Sequence, residues 1–182
     1  MCTIRYKIDF FSNWHCGSGL AAGADVDALV IRDSQGLPYV PGRTLKGLLR
    51  EAVEKLFPGN DSLDLLFGIS GDMDSHQVGC LFFGNATLPD SESRYILEND
   101  LSLHLFQTFA STAIDEKTGL ADAHSLRKIE TVIPCILEGE ILNVPEEGVN
   151  LLKDAMAFIK RMGSGRNRGY GRCTISIIGT YN

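Results

Sequence analysis

No two cysteines of the chain are spaced as CxxC, although five are present at Cys2, Cys16, Cys80, Cys135 and Cys173. Neither a zinc ribbon nor a disulfide framework is written in the sequence, and the thiols are expected to be reduced and mostly buried. His15-Cys16 is the one adjacent pair of soft ligands. A metal there would need partners from distant segments, so packing is the simpler reading. No apolar run approaches the length of a membrane span. The opening MCTIRYKIDFFSNW alternates polar and apolar residues and lacks the continuous apolar core of a signal peptide. A cytoplasmic protein with no membrane partner is expected.

Acids are also missing, from two particular places. The chain has 23 acidic and 17 basic residues and a net charge of −6, which taken alone opposes a polyanionic partner. Yet Lys160 to Arg172 holds five basic residues and no acid, and Arg43 to Arg50 holds three and no acid. Two cationic windows on an acidic body direct an anion to one region and discourage adhesion elsewhere. With 182 residues, 44% of them hydrophobic, the chain can bury one good core. A single domain over residues 1–182, carrying insertions, is expected.

Residues 3–11 place Ile4, Tyr6, Ile8 and Phe10 on one side and Arg5, Lys7 and Asp9 on the other, the period of a half-buried strand. A glycine-rich loop over 15–27 precedes a short apolar run, ALVI. Apolar residues at 45, 48, 49, 52, 53 and 56 predict a helix with Thr44 as N-cap and Pro58-Gly59 as its stop. Residues 61–67 suit a helical turn, and GCLFFGNATL a strand with a bulge at Gly84. LSLHLFQ and TVIPCILEGEIL read as the arms of a long hairpin with a polar, elaborated tip. Val149, Leu152, Met156 and Ile159 form the stripe of a helix from Pro145 to Met162, capped by Gly163, before a last strand, CTISIIGTY. This order is that of an α+β, ferredoxin-like domain.

The segment GSGRNRGYGR follows a helix, so it is neither a Walker loop nor a dinucleotide fingerprint, which open one. Its four glycines would let the main chain approach a ligand, Arg166, Arg168 and Arg172 would fork onto phosphates, and Tyr170 would stack on a base. A plain helix cap accounts for Gly163, Lys160 and Arg161 but not for the remaining arginines and glycines. The second window, PYVPGRTLKGLLRE, sets Arg43, Thr44, Lys46 and Arg50 at a helix start that offers N–H groups to an anion. An amphipathic helix with a solvated basic face is the bland alternative.

DALVIRDSQGLPYVPGRTLKGLLRE combined with MGSGRNRGYGR resembles the RAMP superfamily of CRISPR-associated proteins, in particular the backbone subunits of type III effector complexes. GCLFFGNATL and STAIDEKTGLADAHSLRKIETVIP are similar to that family's core strand and its protruding thumb hairpin. The resemblance implies a modified ferredoxin-like (RRM-like) palm that holds guide CRISPR RNA paired to a complementary target RNA, beside neighbouring copies and other effector subunits. It implies guide contacts from Arg43, Thr44, Lys46 and the loop from Gly163 to Arg172, with Gly165, Arg166, Arg168, Gly169, Tyr170 and Arg172, to which the cationic windows add Arg50, Lys160 and Arg161 as RNA-binding candidates. It further implies a thumb over about 106–132, with Ile114, Asp115, Lys117, His124 and Arg127 near its tip.

Target-cleaving relatives carry an aspartate before the VIRD-like stretch, which aligns with Asp27 and has Asp25 as runner-up. Cleavage would use Mg2+ or another divalent cation, with an in-line 2′-hydroxyl as nucleophile. The rivals are a loop aspartate in a non-catalytic scaffold, and a metal-independent guide-processing endoribonuclease using His15 as base. Processing members usually contain two ferredoxin-like halves, and this chain has room for one. A ferredoxin-like binding module unrelated to nucleic acid is the last alternative.

Overall fold

A computed structural model of the chain describes residues 1–21, 26–69, 77–115, 117–122 and 125–181. Asp25 and His124, two of the candidate site residues, and also His76 and Glu116, lie outside the described residues.

The chain begins with β1 (Cys2–Phe10), passes through a long loop to α1 (Gly42–Leu56), and continues through α2 (Ser62–Phe67), β2 (Gly68–Ile69), β3 (Gln77–Val78) and β4 (Phe82–Phe83). Then come α3 (Asp90–Glu98), β5 (Phe106–Ser111), β6 (Arg127–Val132), β7 (Ile136–Val144), α4 (Glu146–Phe158) and β8 (Cys173–Tyr181). The main sheet is antiparallel in the order β4-β7-β1-β8. With α1 after β1 and α4 after β7, its first and third strands are central and its second and fourth lie at the edges. That is the connectivity of the β-α-β-β-α-β palm.

The period of β1 explains why one side of this sheet is covered. Cys2, Ile4, Tyr6, Ile8 and Phe10 are all buried, whereas Arg5 stays exposed. Leu45, Leu49, Ala52 and Val53 of α1 and Leu152, Ala155 and Met156 of α4 complete the core. Tyr6 stands opposite Gly139, where a Cβ would lie 2.4 Å from its hydroxyl, so glycine at 139 is what admits the ring. Trp14 is fully buried and stacks on Phe10 with centroids 4.6 Å apart. Burial pushes the Cys16, Cys135 and Cys173 thiols up to about 12, so they stay neutral and inert at physiological pH. Among the described residues no helix is long and apolar enough to cross a membrane.

Several boundaries differ from those expected. Helix α1 starts at Gly42, with Pro41 in the N-cap position and no side-chain cap, so Thr44 lies in the first turn and caps nothing. Helix α4 ends at Phe158. The chain then runs extended so that the Cys173 N–H reaches Lys160 O (3.0 Å) and the Met162 N–H reaches Gly171 O (2.9 Å), and Gly163 belongs to the loop beyond. The long arm TVIPCILEGEIL is split around Pro134, which has no N–H to donate to a ladder. Its first part pairs with β5 as a separate hairpin and its second part enters the palm. Residues 102–105 form a 3₁₀ turn, and ALVI is held by isolated bridges only. Helix α3 leaves no clear pattern in the sequence, because only Ile96 of its nine residues is buried and its apolar stripe is correspondingly thin.

Candidate nucleic-acid interface

The loop after α4 is closed by its own backbone. Gly163, Gly165, Gly169 and Gly171 all adopt positive φ, at +87°, +70°, +92° and +66°. A Cβ on Gly171 would fall 1.8 Å from Met162 O, and one on Gly163 would fall 2.4 Å from His15 O. The N–H groups of Gly171 and Ser164 donate to Asn13 O (2.8 Å) and His15 O (2.9 Å), and that of Arg172 to Ser12 Oγ (3.0 Å). Glycine therefore serves close approach to the chain's own backbone, to His15 at Gly163 and to Met162 at Gly171. A ligand was the expected neighbour. Only Gly169 of the four has open space where a side chain would stand.

This lacing brings the two cationic windows together. His15, Cys16, Gly17, Pro41, Arg43, Thr44, Gly163 and Ser164 line one concavity of about 160 Å³. The Arg43 side chain is exposed beside it and Thr44 is half-buried. The helix start itself offers fewer donors than expected, since the Gly42 N–H donates to Asn85 Oδ1 (3.0 Å) and that of Thr44 to Pro41 O (2.9 Å). His15 forms a buried wall, 4% exposed, with Nδ1 donating to the Glu130 carbonyl at 2.6 Å.

The remaining cations are divided. Lys160, Arg161 and Arg166 line a second concavity of about 410 Å³ together with Lys55, Leu48 and Phe158. Lys160 Nζ donates to Ala157 O at the end of α4, and Arg161 Nη1 to Arg166 O. Arg168 and Arg172 are exposed on the loop, Gly165 lies against the Tyr170 ring, and Lys46 is half-buried on α1. Tyr170 is itself half-buried, edge-on to Phe109 of the hairpin with ring centroids 5.8 Å apart, so it docks the loop to β5.

Arg50 stands apart from the site. Its guanidinium donates to Glu54 (3.0 Å), to Gly68 O (2.5 Å) and to Asp64 (3.3 Å), joining α1 to α2 and β2. Arg50→Ala is expected to lower stability by about 1–2 kcal/mol, because it removes a charged donor from a partly buried carbonyl. The salt dependence of RNA binding should stay as in the wild type, and a lower slope would return Arg50 to the interface.

The hairpin β5–β6 continues past its strands to an Ile114–Ala121 bridge. Asp115 builds the turn there, its Oδ1 accepting from the Lys117 and Thr118 N–H groups (3.1 and 2.7 Å) and the Thr118 hydroxyl (2.8 Å). The Thr118 bonds hold its carboxyl below the usual range. Ile114, Leu120 and Leu126 are exposed, giving the tip an apolar surface near Lys117 and Arg127, both also exposed. Asp27 is exposed at the base of the same hairpin, its N–H donating to Lys128 O (2.8 Å) and its Oδ2 accepting from the Lys128 N–H (2.7 Å).

Among the described residues no three His, Cys, Asp or Glu side chains are grouped to hold a metal. A single held, solvent-facing carboxylate nevertheless fits the protein's share of a Mg2+ site in which phosphate oxygens and water supply the other ligands. A concavity of about 640 Å³ lies on the open side of the sheet among Arg5, Asp90, Glu138 and Glu140, and its acidic lining does not suit a phosphate.

A family model of the RAMP superfamily matches residues 7–174. The chain belongs to the RAMP superfamily. Two solved structures share the RAMP fold seen here. One is a chain of the type III-B Cmr-β complex bound to cognate target RNA, with TM-score 0.74, 12% identity and 96% of each chain covered. The other is a chain of the apo state of type III-B Cmr-β, with TM-score 0.69, 13% identity and 97% of each chain covered. No curated protein matches the sequence.

Proposed function

We propose that this RAMP chain is a backbone subunit of a type III CRISPR effector complex. It grips guide RNA through sugar-phosphate contacts and cleaves the paired target RNA through Asp27. The observation that carries the grip is the meeting of Arg43, Thr44, Gly163 and Ser164 around buried His15 in one small concavity. Contacts of this kind hold any RNA sequence, as a guide-carrying subunit requires.

For cleavage, Asp27 is placed by two backbone hydrogen bonds and presents a carboxylate to solvent. When bound there, Mg2+ or a similar cation would neutralise charge on the scissile phosphate. Asp27 would hold that ion or accept the proton of the attacking 2′-hydroxyl, leaving a cyclic phosphate and a 5′-hydroxyl. His15 contributes to the grip more readily than to acid–base chemistry, since its ring is almost wholly covered and Nδ1 is held by Glu130.

The grip is tested with purified protein and single-stranded RNAs of unrelated sequence. Arg43→Ala is expected to weaken all of them alike and to lower the slope of log K against log salt by about 0.7, one lost single-strand phosphate contact. An unaltered slope would remove Arg43 from the phosphate.

A further inference from the structure

Glu130 is a mostly buried carboxylate to which the cleavage chemistry assigns no role. It lies on β6, 8% exposed, and all its polar groups are engaged by one neighbourhood. Its N–H donates to Ala28 O at 3.0 Å, and its carbonyl accepts from His15 Nδ1 at 2.6 Å. Oε2 accepts from the Val30 N–H at 3.0 Å, and Oε1 from Arg32 Nη2 at 2.5 Å. The Arg32 guanidinium in turn lies 3.6 Å over the Phe106 ring of β5.

The segment from Asp27 to Arg32 has no strand ladder of its own, only isolated bridges to Gly17, Ile129 and Pro38. A charged pair drawn partly out of water, with the Arg32 side chain 32% and the Glu130 side chain 11% exposed, adds little net stability. What the pair adds is a fixed geometry. We propose that Glu130 is the positioning residue of the Asp27 loop, tying the placement of Asp27 to the His15 wall of the guide pocket. The inference rests on the reading of Asp27 as the cleaving carboxylate.

The test uses the assembled effector with guide RNA, a complementary target and magnesium, comparing wild type, Glu130→Gln, Arg32→Gln and Asp27→Ala. Glu130→Gln keeps the volume and an oxygen for the Val30 N–H but removes the charge that holds Arg32. Single-turnover cleavage is expected to slow by up to about 100-fold, the cost of a reacting group misplaced by about 1 Å, with guide and target affinities unchanged. Arg32→Gln should slow it comparably. Joining the two substitutions should lose no more than either alone and regain part of the rate, because two amides can pair without a buried charge.

A second readout needs no activity. In the free chain, the Val30 and Glu130 amides should exchange with solvent about 10-fold faster in Glu130→Gln, while β1 amides do not change. Wild-type cutting speed in Glu130→Gln, or guide binding that falls by the same factor as cleavage, overturns the positioning role alone. A wild-type complex that leaves the target intact, as Asp27→Ala does, overturns the nuclease reading and this inference with it.

Discussion

Asp27→Ala is expected to slow magnesium-dependent cleavage of a complementary RNA by about 10³-fold, within the range supplied by a positioned proton acceptor. Target affinity should hold or rise slightly, since the substitution removes a negative charge near a polyanion. The informative companion is Asp27→Asn, which keeps an oxygen for the Lys128 N–H and so preserves the 2.7 Å bond that places the loop. If Asn and Ala are equally slow, the charge itself is required. If Asn cuts like wild type, Asp27 is a turn residue and the scaffold reading stands. His15→Ala is expected to weaken guide binding and leave the cuts chelator-sensitive. Cuts that persist in chelator and vanish only with His15→Ala would instead indicate metal-free processing.

Gly171→Ala is expected to produce the largest loss of stability, about 3–5 kcal/mol. A methyl group at 171 would meet Met162 O at 1.8 Å, and φ is +66°. The left-handed conformation alone costs an L-residue about 1–2 kcal/mol. Relieving the clash further requires breaking the bonds from the Met162 N–H to Gly171 O and from the Gly171 N–H to Asn13 O, each worth about 1 kcal/mol. For a chain of this size the melting temperature should fall by roughly 10 °C. Because the bond from the Gly171 N–H to Asn13 O holds the loop against segment 12–15, RNA affinity should fall as well. Gly169→Ala is the control: φ is +92° with nothing within 4 Å, so only the conformational cost applies. Equal melting temperatures for the two variants would show that the loop is not closed through Gly171.

The palm was legible wherever burial follows a regular period. The alternation of β1 and the helical spacing from Leu45 to Leu56 are direct images of one face turned to a core. Helix α3 was not legible, because a helix that buries one residue leaves no stripe. The division of TVIPCILEGEIL between two sheets was hidden for a different reason. Both halves are strands, and only their partners, β5 for one and β1 for the other, distinguish them.

At the candidate site, residue types and their clustering were enough to single out both cationic windows and the glycine-rich loop, since charge and glycine content are properties of the chain itself, whereas Asp27 was marked only by the resemblance to the RAMP superfamily. Where each side chain points was a tertiary matter. Three-dimensional packing assigned Arg50 to α2, Tyr170 to the hairpin, and Lys160 with Arg166 to a second concavity, and it left Arg43 facing His15. Glu130 carries no motif at all. Its importance arises from contacts with residues about 100 positions away, at Val30 and Arg32, and at His15 farther still. Local sequence determines which segments can be strands, helices or anion-attracting loops, because those depend on neighbours along the chain. Which groups meet depends on how sheet and hairpin close, and that is settled only when the chain folds.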